Sequence, residues 1–483
     1  MIHEGKMLID GEMTIGEGGA SGSWIDSHDP ATLEPTGRVP AATASDVDRA
    51  VRAASAAQRD WAKRSVWERA AVLRALAGAI RARGPEILAL EARDTGNTLG
   101  KLQADIQIAA AYLEYFAGLA SELKGETIPA TAEGLHLTVR EPYGVVARIV
   151  PFNHPFMFAA AHLAAPLMAG NAVVVKTPET SPLTGSLLGE LCAATLPKGL
   201  VNIIHGFGKP AGDALVRHPL VRRIGFTGSV ATGLAIQRAA SEVGVKHVTL
   251  ELGGKNPFIV FPDADLDRVV EMAVSGMNFS WAGQSCGSTS RLLIHESIYD
   301  TIVERVAARM SALKLGSPLD LTSEMGPVNS ALHRERIMSL IDSARRDGAK
   351  LVTGGDRPTG AAFSRGYWLA PTLFADVTPA MRIAREEAFG PVVCAMRFAN
   401  EEQAVEIANS TDFGLTAAVW TRDLPRALRL VRAVHAGTVW VNTAGQHFVG
   451  TPFGGWKDSG VGGEECLDEL LSYSQVKAIH VFP

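Results

Sequence analysis

Gly-Val-Val-Ala-Arg-Ile-Val at 144–150, an apolar run to Ala169, and Ala-Val-Val-Val-Lys at 172–176 together decide the fold. Each β-branched run is short enough for a buried strand. An apolar helix between two such runs is the crossover of a parallel pair. The same rhythm continues downstream. A helix over 183–195 leads to VNIIH at 201–205, and a short helix precedes RRIGF at 222–226. A helix over 231–243 leads to VKHVTL at 245–250. Five strands alternating with helices predict a doubly wound, Rossmann-like parallel α/β sheet. The apolar stretch 156–175 is long enough to suggest a membrane span, but Pro166 and the Gly170-Asn171 pair divide it. A buried helix, a turn and a buried strand fit it better.

Upstream, one helical pattern follows Ser45, with Asp48 in its opening turn. A second starts at Ser65, where Glu68 completes a capping box, and runs to about Ala92. Downstream, a second α/β region extends from FIVF at 258–261 to about Val441, with helices over 266–279 and 299–313. Residues 126–141 alternate weakly between turn residues, which suggests a hairpin. QVKAIHVF at 475–482 reads as a strand with no neighbour in sequence. It either pairs with another subunit or returns to its own sheet.

The 483 residues exceed one ordinary core, so two or three domains are expected. Hydrophobic residues at 47% and charged residues at 20% are ordinary for a globular protein. A net charge of −5 without a long Lys/Arg run gives no support to nucleic acid or a membrane surface as partner. The four cysteines lie far apart, forming neither a disulfide framework nor a zinc pattern. No metal site is expected, and a reducing cytoplasm suits the chain. The first residues lack the basic and apolar segments of a secretory signal.

Ligands of open α/β sheets bind beyond the carboxyl ends of the strands. Asn153 follows the first strand, Lys176 ends the second, and Glu179 comes three residues later. Gly-rich turns follow the third and fourth strands, the latter with Gly228 and Ser229. Glu251 follows the fifth, among leucines and glycines. Gly-rich turns before helices suit a pyrophosphate, though such turns are also simple tight connections. Lys176 and Glu179 could hold a ribose or form a surface ion pair. Glu251 could be a base with a raised pKa or cap a turn. Asn153 could donate to an oxyanion or cap a helix that opens with Pro155. Cys286 lies in polar, Gly-rich NFSWAGQSCGSTSR, unlike Cys192 and Cys394, which sit in apolar segments. It is therefore the candidate nucleophile, against the inert role of most buried cysteines.

LELGGKNP at 250–257, GQSC at 283–286, EEAFGPV at 386–392 and PFGGWKDSG at 452–460 resemble the aldehyde dehydrogenase superfamily. PFNHP, KTPE and FTGS lie in the same order upstream. The resemblance covers nearly the whole chain. It implies that Cys286 is the nucleophilic thiol, Glu251 the general base, and Asn153 half of an oxyanion hole completed by the Cys286 N–H. Lys176 and Glu179 would hold the adenosine ribose, and Gly228 and Ser229 the pyrophosphate. Glu387 would hold the nicotinamide ribose, with Phe389 beside the ring. Residues 1–125 and 143–252 would form the NAD-binding domain, and 253–441 the catalytic domain. Residues 126–142 and 466–483 would form an oligomerisation arm of a dimer or tetramer. The segment 442–465 would return to line the site. A carboxylate at Glu179 repels a 2′-phosphate, so NAD is favoured over NADP.

The sequence departs from the family pattern at Phe152, His154 and Gly463, where Trp, an aromatic or apolar residue, and Arg are usual. The implied substrate tunnel comprises Phe152, Phe158, Ala161, Trp281, Ser285, Gly287, His447 and Phe453. This mix suits a bulky or aromatic aldehyde. A CoA-acylating enzyme is one alternative, disfavoured by the retained Glu251. A non-catalytic family member is the other.

Overall fold

The computed structural model describes residues 3–483. The five anticipated strands are present as Val145–Ile149, Ala172–Lys176, Val201–Ile204, Val221–Thr227 and His247–Glu251, all parallel in one sheet. In space they run fifth, fourth, first, second, third. The order reverses between Val145–Ile149 and Val221–Thr227, which is the switch point of a doubly wound sheet. Met7–Ile9 and Glu12–Thr14 extend one edge antiparallel, and Gly460–Val461 closes the other. Neither extension had a readable signal, because strands this short show no periodicity.

The run over 156–175 resolves into helices Pro155–Ala161 and Ala164–Met168 and the strand Ala172–Lys176. Gly170 makes the turn between them at φ +90°, a conformation that suits glycine. Among the described residues no helix is long and apolar enough to cross a membrane.

The helix boundaries need correction upstream. The first helix is Ala44–Trp61, so it begins before Ser45; Thr43 caps it and Asp46 completes a capping box. Asp46 is chosen because it is buried and also accepts the Glu17 N–H (2.8 Å) and the Gly18 N–H (3.1 Å). The second helix opens at Ser65 with Glu68, as expected, but ends at Ala82. Pro85 cannot donate back into it, so a separate helix, Gly84–Thr95, begins. A further helix, Leu99–Gly118, follows.

The second sheet runs Lys350–Thr353, Thr372–Ala375, Val392–Phe398, Arg291–His295, Pro257–Val260, Thr416–Trp420, Thr438–Val441. It is parallel except for its first pair. Its own apolar core includes Phe258, Leu293, Phe374 and Trp420 and is distinct from the core around the first sheet. The helix expected over 266–279 ends at Ser275, where Gly276 and a tight 3-10 turn redirect the chain.

Residues 126–128 fold back on Leu135–Pro142 through two backbone hydrogen bonds, Ile128 N–H to His136 O and Thr138 N–H to Glu126 O, both 2.8 Å. The final strand, Ser474–Val481, lies antiparallel on Leu135–Pro142 from end to end. Its partner is therefore within its own chain, 330 or more residues away in sequence, which is why no local pattern revealed it.

Candidate active site

The first sheet presents its carboxyl edge level. Lys176 is in register with Ile149 and Ile204, Phe226 with Ile149, and Thr227 with Glu251. The loops carrying Asn153, Glu179 and Ser229, and the side chains of Lys176 and Glu251, thus share one edge. In the second sheet, Pro257, Arg291 and Cys394 are in register. Cys286 and Glu387 lie on the loops entering the strands Arg291–His295 and Val392–Phe398, at their amino ends. Only residues 252–256 separate Glu251 from Pro257. This short link brings the carboxyl edge of one sheet against the amino edge of the other.

The link is glycine-rich for a steric reason. A Cβ on Gly253 would lie 2.1 Å from Glu387 Oε2, and one on Gly254 would lie 2.9 Å from the Cys286 carbonyl oxygen. Gly254 N–H donates to Glu387 Oε1 at 2.8 Å. The buried Asn256 side chain donates to the carbonyls of Cys286 (2.6 Å) and Ser288 (3.0 Å), while its oxygen accepts the Thr416 N–H (3.1 Å). Gln284 ties the same loop to Asn329 N–H at 2.9 Å. Asn278 and Ala282 are left-handed, at φ +54° and +50°, and so is Phe389 opposite, at +49°. Non-glycine residues in this region carry strain that the surrounding packing must hold.

Burial first, then the neighbouring Glu387 and Glu251 carboxylates, pushes the Cys286 thiol up to about 12. Burial likewise holds Glu387 at about 7, opposed by the Gly254 hydrogen bond and Lys255. Glu251 is buried and neither of its oxygens has a hydrogen-bond partner. Burial first, then Glu464 and Glu465, pushes its carboxyl well above the usual range, with Arg148 opposing. A carboxyl of this kind can move a proton near neutral pH.

Behind Glu251, buried Arg148 donates to Glu464 Oε1 at 2.9 Å and to the Tyr473 hydroxyl at 2.8 Å. His162 Nδ1 is 3.2 Å from the same Glu464 oxygen. Burial, then Glu464, pushes buried Glu469 up to about 8. His162, Glu464 and Glu469 bring possible ligand atoms within 4.8 Å of one another, but the Arg148 guanidinium already satisfies Glu464 there.

Asn153 is buried, and its Oδ1 has no partner. Its backbone carbonyl accepts from Asn97 Nδ2 at 2.7 Å. Thr98 N–H binds Ser280 O at 3.2 Å, so one loop ties the Asn153 turn to the segment ahead of Cys286. Buried Lys176 donates to Thr177 O (2.9 Å) and reaches the exposed Glu179 at 3.5 Å. The ion pair therefore exists, with Glu179 facing solvent. Ser229 caps the helix Val230–Ser241 and accepts the Thr232 N–H. Gly228 N–H binds Glu251 O at 3.0 Å, joining the glycine turn to the end of the neighbouring strand.

Two aromatic groups form among the expected tunnel residues. Phe152 and Phe389 are edge to face at 5.7 Å, joined by His333 at 5.5 and 5.9 Å. Phe158, His154 and Trp281 form a second run, at 5.8 and 4.8 Å. Phe453 lies 4.7 Å from His447, whose Nδ1 is 3.2 Å from Glu465. Ser285 and Gly287 flank Cys286. Ala161, at 2% exposure, packs in the core of the first sheet and offers little wall area. Sequence reading did not single out Asp105, Asn256, Gln284, His333 or Arg148. Each acts across a long sequence separation; Arg148, Asn256 and Gln284 stood within quoted stretches, but nothing local marked their partners.

Comparison with known proteins agrees with this architecture. The sequence model of the Aldehyde dehydrogenase family matches residues 18–479. The aldehyde dehydrogenase tropH of Talaromyces stipitatus is 45% identical over 463 residues, 94% of this chain and 90% of that one. The solved structure of an NAD-dependent aldehyde dehydrogenase from Sinorhizobium meliloti superposes with a TM-score of 0.96 at 38% identity, covering 99% of this chain and 95% of that one. Betaine aldehyde dehydrogenase from Staphylococcus aureus, solved in complex with NAD+, gives 0.95 at 36% identity, with coverages of 99% and 95%. These matches place the chain among the oxidoreductases. It belongs to the aldehyde dehydrogenase family, and its reaction is the oxidation of an aldehyde to the carboxylic acid.

Proposed function

We propose that this protein oxidises its aldehyde with NAD through a thioester on Cys286, which Glu251 helps to hydrolyse. The observation that carries this reading is the junction of the two sheets, where the link that follows Glu251 is bonded to both loops: Gly254 N–H donates to Glu387 and Asn256 Nδ2 to the Cys286 carbonyl. Residues 3–125 and 143–252 serve the cofactor, 253–441 supply the thiol, and 442–465 close the site behind Glu251.

The residues present fit a dinucleotide. The helix Val230–Ser241 opens at the switch point, and Ser229 leaves the first amides of its N-terminus free for a pyrophosphate. Lys176 and Glu179 would hold the adenosine ribose, Glu387 the nicotinamide ribose, and Phe389 the face of the ring. Glu179 carries a negative charge where a 2′-phosphate would sit, which favours NAD over NADP. NAD, when bound, supplies the acceptor for the hydride leaving the substrate carbon.

The protein's own groups carry the remaining steps. Cys286 gives up its proton to solvent and its sulfur bonds to the aldehyde carbon, so the carbonyl oxygen becomes an oxyanion. The Asn153 amide and the Cys286 N–H, which has no carbonyl partner among the described residues, donate to that oxygen. Loss of hydride restores the C=O as a thioester. Glu251 takes a proton from water as its oxygen bonds to the carbonyl carbon. The C–S bond then breaks, the acid departs, and the leaving thiolate takes the proton from Glu251 to restore the thiol. An acceptor other than water, such as CoA, would have no use for the buried Glu251.

The aldehyde is proposed to be bulky or aromatic, given the Phe152, Phe158 and Trp281 rings. The ribbon of Leu135–Pro142 and Ser474–Val481 exposes Leu135, Val476 and Val481, which supports a role in a dimer or tetramer that sedimentation would measure. The test of mechanism is absorbance at 340 nm with NAD or NADP and a panel of aldehydes. Cys286→Ala should abolish reduction, and Glu251→Gln should leave a burst of NADH followed by slow turnover. A Cys286→Ala variant that keeps wild-type rates would end the thioester reading.

A further inference from the structure

His154 follows the proposed oxyanion donor, and Trp281 stands five residues before the thiol. The His154 Nδ1 lies 2.8 Å from Oδ2 of buried Asp105, which the helix Leu99–Gly118 carries in from the other side. In the tautomer that donates Nδ1–H to Asp105, the other ring nitrogen, Nε2, is a lone-pair acceptor. That Nε2 has no hydrogen-bond partner among the described residues. The Trp281 ring is 4.8 Å away, centre to centre. Its Nε1–H is buried and also without a partner, and no hydrogen bond joins the two rings. A buried indole N–H normally finds an acceptor. Two adjacent rings thus each keep an unused polar atom, with the Phe158 ring 5.8 Å from His154.

We infer that His154 and Trp281 form a recognition site for a hydroxyl group carried by an aromatic aldehyde, with Asp105 as the positioning residue. The chemistry selects this group. A hydroxyl donates to His154 Nε2 and accepts from Trp281 Nε1–H at one oxygen. An ether or halogen cannot donate, a carboxylate has no proton to give, and a methyl group leaves both atoms unpaired. The flanking aromatic faces suit an aryl ring as the carrier. A site built to pair with a hydroxyl rejects the analogue that lacks it, because its own polar atoms are then stranded.

This inference rests on the proposed aldehyde oxidation, and the experiment separates the two. The three hydroxybenzaldehydes, the matching fluorobenzaldehydes and benzaldehyde are compared by kcat/KM, using NADH fluorescence. At least one hydroxy isomer should exceed its fluoro counterpart by about tenfold, the effect of one or two neutral hydrogen bonds. That ratio should fall to about one in His154→Phe, in Trp281→Phe, which keeps a ring but loses the N–H, and in Asp105→Asn. Each ratio is taken within one variant, so a poorly folded fraction cancels. The inference is overturned if no hydroxy isomer is favoured or the preference survives in the variants. It is equally overturned if only aliphatic aldehydes are oxidised, or if carboxybenzaldehydes are the favoured substrates and depend on His154. Loss of every oxidation only in Cys286→Ala leaves the parent mechanism standing whichever way the ratios fall.

Discussion

Replacing Asn153 with alanine should remove catalysis while leaving the fold in place. The side-chain amide is unspent: Oδ1 is buried without a partner, and Nδ2 donates to no protein group among the described residues. The turn is held by other atoms. Asn97 Nδ2 binds the Asn153 carbonyl (2.7 Å), Ser181 Oγ binds the Phe152 carbonyl (2.9 Å), and Phe156 N–H binds Glu91 Oε2 (3.1 Å). All three survive the substitution. Deleting a buried polar group that pairs with nothing should change stability by less than about 1 kcal/mol. Losing one preorganised oxyanion donor costs about 3 kcal/mol in the transition state, or about 10²–10³ in kcat. Asn153→Asp, of the same shape, puts a negative charge where a donor stood and should be no better than alanine. Steady-state kcat at 340 nm, with melting temperature measured alongside, checks both halves. An alanine variant within about threefold of wild-type kcat would refute the oxyanion role. A normal rate per folded molecule with a large fall in melting temperature would make Asn153 a structural residue instead.

Glu251→Gln should be more heat-stable than wild type, and increasingly so as the pH rises. The folded carboxyl binds its proton more tightly than the unfolded one, through burial and then Glu464. Wild-type stability therefore declines as pH climbs above the ordinary glutamate value, and glutamine escapes that decline. Melting curves from pH 5 to pH 8 would show the gap widening, and a constant gap would contradict the burial argument. Arg148→Leu should destabilise the protein by about 3–5 kcal/mol by stranding Glu464 without its cation; denaturant titration measures this. Gly253→Ala places a methyl 2.1 Å from Glu387 Oε2, so it should raise the KM for NAD more than it lowers stability. With iodoacetamide, Cys286 should be the first cysteine alkylated, since Cys192 and Cys394 are 1% exposed. Its rate should climb about tenfold per pH unit up to pH 10, because the thiol sits at about 12 and only the thiolate reacts. A plateau near pH 8 would mean a far more acidic thiol.

The parallel strands were legible because a strand buried on both faces is written as an unbroken β-branched run, and Ala172–Lys176 falls at the predicted residues. Ser65 and Glu68 were legible because a capping box is local. Thr43 and Asp46 form an equally local box, but Ser45 with Asp48 offers a competing start at the same spacing, and the further contacts of Asp46 with Glu17 and Gly18 come from outside the helix. The proposed thiol, base and amide stood out as polar residues in Gly-rich or strand-end settings. Their supports did not. Asp105 reaches His154 across 49 residues and Arg148 reaches Glu464 across 316, and no spacing rule spans such distances. Even His154 stood out only as a departure from a pattern.

The five residues of 252–256 leave no slack between the sheets. Gly253 and Gly254 are fixed against Glu387 and Cys286, and Asn256 is hydrogen-bonded on both sides of its amide. Hinge motion at this link would tear the thiol loop from its anchors, so the two halves must behave as one rigid frame during turnover. Exchange of substrate and product then falls to side chains and peripheral loops. Neither half could be exchanged for another module without rebuilding the joint that holds Glu251, Cys286 and Glu387 together.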